Sequence, residues 1–150
     1  QEASPDWQWL VVTPLSRECQ RAYFRAASER KPLVHRGPPG TGKTETVRDA
    51  SRSTGREPCV LSCGDAVAGV DVLGGLEKLA ADGVVKDEFT PVIFDEFHQL
   101  PLEQQQAAVK FVKDKGWFSA FECGAGAELP TDLGDAVVVE MATPPFELIL

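Results

Sequence analysis

Long apolar runs are missing. The most apolar stretches, Val137 to Val139 and Phe146 to Leu150, fall far short of the roughly 18 residues that cross a bilayer, so no membrane-spanning segment is expected. Positive charge is scarce, with 15 Lys+Arg against 23 Asp+Glu and a formal net charge of −8. An acidic surface repels phosphate backbones and anionic lipid, which argues against direct nucleic-acid binding. Histidine is limited to His35 and His98, and of Cys19, Cys59, Cys63 and Cys123 only Cys59 and Cys63 stand close together. A zinc site needs a second closely spaced ligand pair, so zinc is not expected, and buried free thiols in a reducing compartment are. There is no internal repeat and no low-complexity tract beyond Gln104 to Gln106, and the start at Gln1 carries no charged leader followed by an apolar stretch. No secretory signal is expected. The location reads as intracellular, with an organelle reached through a removed presequence left open.

What is present is ordinary globular material, 43% hydrophobic and 25% charged, enough for one compact domain. Residues 1–150 read as that single domain, with 1–13 a lead-in and 14–150 the core. Charge is unevenly spread: residues 1–56 hold 10 Lys+Arg and 6 Asp+Glu, while residues 57–150 hold 5 and 17. The two parts attract each other, or a partner selects one of them. Trp7 and Trp9 pack on the domain's own sheet or anchor a partner.

Thr13-Pro14 is a helix start, a hydroxyl cap followed by proline, and predicts a helix to about Glu29 with Arg17, Arg21 and Arg25 on one solvated face. Strands are expected at Pro32 to His35, Cys59 to Ser62, Val92 to Phe94, Trp117 to Phe121 and Ala136 to Met141. Between them lie a helix from Lys43 to Ser53 closed by Gly55, a second from Val70 to Ala81, and a third from Leu102 to Lys115. In the second, Val70, Leu73, Leu76 and Leu79 are read as inward-facing, while Gly74 and Gly75 speak against helix. In the third, Ala108, Phe111 and Val112 face inward and the glutamines form the wet side. Strands alternating with helices predict an α/β fold of three layers, with a mainly parallel five-stranded sheet covered on both faces.

The chemistry is concentrated in Gly37 to Thr44, GPPGTGKT, which fits G-x-x-x-x-G-K-[ST] directly after an apolar strand and at the opening of a helix. Glycines let backbone N–H groups curl around a phosphate, and the helix N-terminus adds positive potential there. Gly37, Pro38, Gly40, Thr41, Gly42, Lys43, Thr44 and Glu45 form the expected nucleotide-binding set. Lys43 reaches the β and γ phosphates, a catalytic as well as a binding role, and the Thr44 hydroxyl faces Mg²⁺. A relic loop that keeps its shape without ligand is the alternative. Asp95 and Glu96 end the apolar run VIFDE, and Asp95 falls 52 residues after Lys43. In a parallel sheet Asp95 reaches the metal beside the phosphates, and Glu96 is positioned as general base for the attacking water.

The runs GPPGTGKTETVRD (Gly37 to Asp49) and VIFDEF (Val92 to Phe97) resemble the first nucleotide-binding module of the dynein heavy chain, a ring-forming AAA+ ATPase. LVVTPL (Leu10 to Leu15) is similar to the segment that flanks the adenine in that family, which implies Val12 as an adenine contact. Ser62-Cys63-Gly64-Asp65 and Glu128-Leu129-Pro130 resemble further family stretches. The resemblance implies a P-loop NTPase core of the AAA+ large-subdomain type, with the sensor strand between the strands carrying the two motifs. It also implies ATP or ADP with Mg²⁺ as ligands, ATP over GTP, and a cytoskeletal or ciliary setting.

Departures from the family bear on mechanism. Members carry an arginine finger after the ELP-type stretch and a basic sensor in a helical lid. Here nothing basic follows Lys115, and the chain stops before a lid would begin. The sensor strand offers only Ser119 and Glu122 where Asn is usual. The expectation is therefore a module that binds ATP or ADP with Mg²⁺ and hydrolyses weakly or not at all. The alternative is a catalytically inert accessory subunit of a larger assembly, its nucleotide a structural staple. A piece of a full heavy chain also accounts for the missing parts, and force generation is not expected of this stretch alone. The apolar tail Pro144 to Leu150 is read as a cover for an exposed face or as a contact with another subunit.

Overall fold

The computed structural model describes residues 14–64 and 71–141. The lead-in with Trp7, Trp9 and Val12, the residues Asp65 and Val70, and the tail from 142 onward lie outside the described residues. Within them run α1 (Pro14–Glu29), β1 (Leu33–Arg36), α2 (Lys43–Ser53), β2 (Cys59–Ser62), α3 (Val72–Asp82), β3 (Val92–Asp95), α4 (Leu102–Lys115), β4 (Ser119–Cys123) and β5 (Val137–Glu140). The five strands form one parallel sheet in the order β2-β3-β4-β1-β5.

Two apolar clusters flank the sheet, and strand alternation sorts residues between them. Leu33, Ile93 and Ala120 face α1 and α2, meeting Cys19, Tyr23, Ala26, Val47 and Ala50. Val34, Val92, Phe94 and Phe121 face α3 and α4, meeting Val72, Leu76, Ala108, Val109 and Val112. This is the expected α/β sandwich of helix, sheet and helix layers.

Details differ from the sequence reading for local physical reasons. β1 begins at Leu33 because Pro32 has no N–H to give to a ladder; its carbonyl instead accepts from the Val137 N–H at 2.9 Å. α3 begins at Val72, capped by Asp71, whose Oδ1 accepts from the Gly74 N–H at 2.9 Å. A Cβ at Gly74 would collide with that same carboxylate, so the glycine that spoke against helix is what admits the cap. Val72 and Leu76 make the buried face of α3, whereas Leu73 is 37% exposed. On α4 the buried residues include Gln105, whose Nε2 donates to the Leu100 carbonyl at 2.8 Å. The glutamine run is therefore not a purely wet face: Gln105 satisfies a backbone acceptor of the turn before the helix.

Because every strand runs the same way, the residues following β1, β3 and β4 emerge together at one carboxyl edge, where ligands of open α/β sheets bind.

Candidate functional site

The loop after β1 leaves the sheet through a tight exit. The Gly37 N–H donates to the Cys123 carbonyl at 3.1 Å, and a Cβ at Gly37 would run into the Met141 carbonyl. Gly40 and Gly42 take the left-handed region at φ 82° and 81°, with open space where a side chain would stand. These two turns aim the loop amides inward. α2 starts at Lys43 with no side-chain cap, so its first N–H groups and the positive end of its dipole face the same space. Thr41 Oγ1 donates to the Pro38 carbonyl at 2.8 Å, and Lys43 Nζ donates to the carbonyls of Gly37 and Pro38 at 2.7 and 3.0 Å. The lysine thus rests on the loop's own acceptors.

A cavity of about 470 Å³ opens there, lined by Gly37, Gly40, Thr41, Gly42, Lys43, Thr44 and Glu45 from the loop and by Asp95 and Glu96 from the end of β3. Those nine expected residues come together at one place. Pro38 does not line it and contributes its carbonyl to the loop's internal bonds, while Val12 lies outside the described residues. Pro39, His98, Gln99 and Gly124 complete the wall. Sequence reasoning missed His98, although it follows Asp95 by only three positions; its Nδ1 accepts from the Gly124 N–H at 3.0 Å, tying the turn after β3 to the end of β4.

Glu96 occupies the left-handed region at φ 54° without being glycine, a conformation that stores roughly 1–3 kcal/mol. Its carboxylate lies against Gly64, where a Cβ would overlap it. Asp95 continues β3 into the cavity rim.

The two polar residues of β4 separate cleanly. Ser119 starts the strand and lines a smaller cavity at the opposite, amino edge of the sheet. Glu122, the strand's penultimate residue, is wholly buried behind Thr44 of the cavity wall, with Oε1 accepting from Thr44 Oγ1 at 2.5 Å and Oε2 without a partner. Burial pushes its carboxyl up to about 7; the Thr44 hydrogen bond opposes this and nearby Asp95 adds to it, with Lys43 and Arg48 lowering it. Beneath the loop, His35 on β1 is 2% exposed, its Nδ1 3.3 Å from the Lys43 carbonyl and its Nε2 unpartnered. Burial lowers its pKa to about 4.

These two groups oppose each other in pH. Glu122 ionises near 4.5 when unfolded and about 7 when folded, so its stabilising contribution is complete below 4.5 and is lost as pH rises to 7. His35 protonates near 6.5 unfolded and about 4 folded, so its contribution is complete above 6.5 and is lost as pH falls to 4. Each shift corresponds to about 3 kcal/mol, and between pH 4.5 and 6.5 the slopes cancel. Urea unfolding across this window is expected to show Glu122→Gln losing stability on acidification and His35→Gln gaining it. Parallel pH profiles for both variants would contradict the assignment.

Residues 4–108 match the family model for the hydrolytic ATP binding site of the dynein motor region. The chain is 32% identical over 94 residues to Dynein axonemal heavy chain 12 of Mus musculus, a match covering 63% of this chain and 3% of that protein. It is 35% identical over 94 residues to the cytoplasmic dynein heavy chain of Eremothecium gossypii, covering 61% and 2%. Over 58 residues it is 41% identical to the Dynein-1-beta heavy chain of the flagellar inner arm I1 complex of Chlamydomonas reinhardtii, covering 39% and 1%. The chain thus matches only a few per cent of the length of these relatives.

Proposed function

This chain belongs to the family of the hydrolytic ATP binding site of the dynein motor region, and from that premise we propose that residues 1–150 form one module that binds ATP or ADP with Mg²⁺ and turns ATP over very slowly or not at all by itself. The observation that carries this reading is the convergence on one cavity of two left-handed glycines, an uncapped helix start, Lys43, Thr44 and the β3 acids. The open space over Gly40 and Gly42 and the unpartnered Glu122 oxygen suit a phosphate chain and a cation.

In this reading the amides of residues 40 to 45 hold the phosphates, and Lys43 exchanges the Gly37 and Pro38 carbonyls for the β and γ oxygens. Thr44 and Asp95 hold the cation, which when bound supplies neutralising charge across those oxygens. Glu96 takes the proton of the attacking water only after its carboxylate leaves Gly64 and turns toward the phosphates.

One observation favours poor turnover: the Glu96 carboxylate lies against Gly64. A donated arginine is worth about 10³ to 10⁵ in phosphoryl transfer. A partner that brings such a residue would restore activity. In its absence the module acts as an accessory subunit whose nucleotide is a fixed structural element. The relatives are named as axonemal, flagellar or cytoplasmic dyneins, so a cytoskeletal assembly is the setting we favour over an organellar one.

Mg-ATP titration calorimetry with phosphate release, on the wild type and Glu96→Gln, tests this. Both proteins are expected to bind ATP, with wild-type turnover below about 10⁻² s⁻¹. Turnover a hundredfold faster that Glu96→Gln abolishes would make the chain an enzyme in its own right.

A further inference from the structure

Glu122 is the one carboxylate with no exposed surface among the described residues. It is the penultimate residue of β4, the strand lying between β1, which feeds the phosphate loop, and β3, which carries Asp95. One of its oxygens is committed to the Thr44 hydroxyl at 2.5 Å and the other meets no donor. A buried carboxylate oxygen without a donor is costly, and what relieves it is a cation or a proton donor brought in with a ligand. The neighbouring charges are mixed: Asp95 repels, Lys43 and Arg48 attract, and Lys43 is bonded to Gly37 and Pro38 instead of to Glu122.

Resting on the nucleotide reading above, we propose that Glu122 is a positioning residue for the divalent cation. It holds the Thr44 hydroxyl hydrogen, leaving the oxygen lone pairs turned to the cavity, and with Asp95 it sharpens the dependence of nucleotide binding on the cation. Two carboxylates and a polyphosphate repel one another at this range in a poorly solvated site, and a divalent ion between them reverses the sign of the interaction. A neutral side chain at position 122 would serve the Thr44 hydroxyl with a weaker dependence. Glu122 therefore discriminates the cation-loaded nucleotide from the bare one.

The test reads affinity, not turnover. A fluorescent N-methylanthraniloyl-ATP is titrated into the full chain at pH 8.5, where Glu122 is ionised, at saturating Mg²⁺ and in EDTA. The wild type is expected to bind at least about 100-fold tighter with Mg²⁺. In Glu122→Gln, which keeps shape and an acceptor for Thr44, that ratio is expected to fall about tenfold, chiefly through tighter binding in EDTA. Glu122→Asp keeps the charge but withdraws it from Thr44, so it is expected to bind weakly in EDTA and to lose affinity for the Mg²⁺-loaded probe. A merely structural role would lower both affinities together and leave the ratio alone. An unchanged ratio in both variants overturns the proposal, as does a wild type that binds equally well with and without Mg²⁺. A wild type that binds the probe under neither condition overturns the nucleotide reading itself, and this inference with it.

Discussion

Lys43→Ala is expected to weaken Mg-ATP binding about 100-fold in titration calorimetry while the folded chain keeps its far-ultraviolet dichroism. A charge-assisted hydrogen bond contributes about 1.5–3 kcal/mol, and each 1.4 kcal/mol is tenfold in affinity. Without ligand the ammonium donates to the Gly37 and Pro38 carbonyls at 2.7 and 3.0 Å. The substitution therefore also frees two loop acceptors, which water satisfies at a partly exposed site at little cost to stability. Phosphate must compete with those carbonyls for the lysine, which keeps the net gain to the hydrogen-bond range rather than the full Coulomb attraction. Lys43→Arg is expected to rescue binding poorly, since a planar guanidinium does not replace a compact ammonium between two carbonyls. Wild-type affinity in Lys43→Ala would remove the loop from the binding site.

The largest loss of stability is expected from Phe121→Ala, about 4 kcal/mol. Phe121 is wholly buried, its ring 4.7 Å from Phe94 in a near-parallel stack and 4.7 Å from Phe97 at 57°. Removing it takes out one of three mutually packed rings that join β3, β4 and the turn after β3. Well-packed neighbours on both sides cannot collapse into such a space. In a domain of this size each kcal/mol moves the melting temperature by about 2–4 °C, so a fall of about 10 °C is expected. Phe24→Ala, at a ring 45% exposed on α1, serves as the contrast and is expected to shift melting by less than about 3 °C. Equal shifts for the two variants would refute the packing account.

The parts of the fold that sequence reading reached are those with local causes. Lys43–Ser53 and Leu102–Lys115 were legible to the residue because a left-handed glycine follows each helix within two positions, at Gly55 and Gly116. The loop Gly37 to Thr44 and the VIFDE run are contiguous motifs, and one strand order suffices to bring them to one cavity. The misplaced start of β4 has a cause the sequence hides. The Trp117 N–H donates to the Val112 carbonyl, so Trp117 still closes α4 and the strand starts two residues later. The buried Gln105 was illegible for the same reason, since its acceptor at Leu100 belongs to a turn whose direction depends on the fold. Glu122 stood among two candidates on one strand, and only the register against β1 and β3 put it at the carboxyl edge and Ser119 at the other.

The strand order also governs how the molecule must assemble while it is being made. Among the described strands β1 pairs only with β4 and β5, so the segment feeding the phosphate loop emerges from the ribosome nearly ninety residues before its first ladder partner and waits unpaired until then. Truncation ahead of Ser119 would leave a chain bearing both motifs and lacking the strand that lies between them.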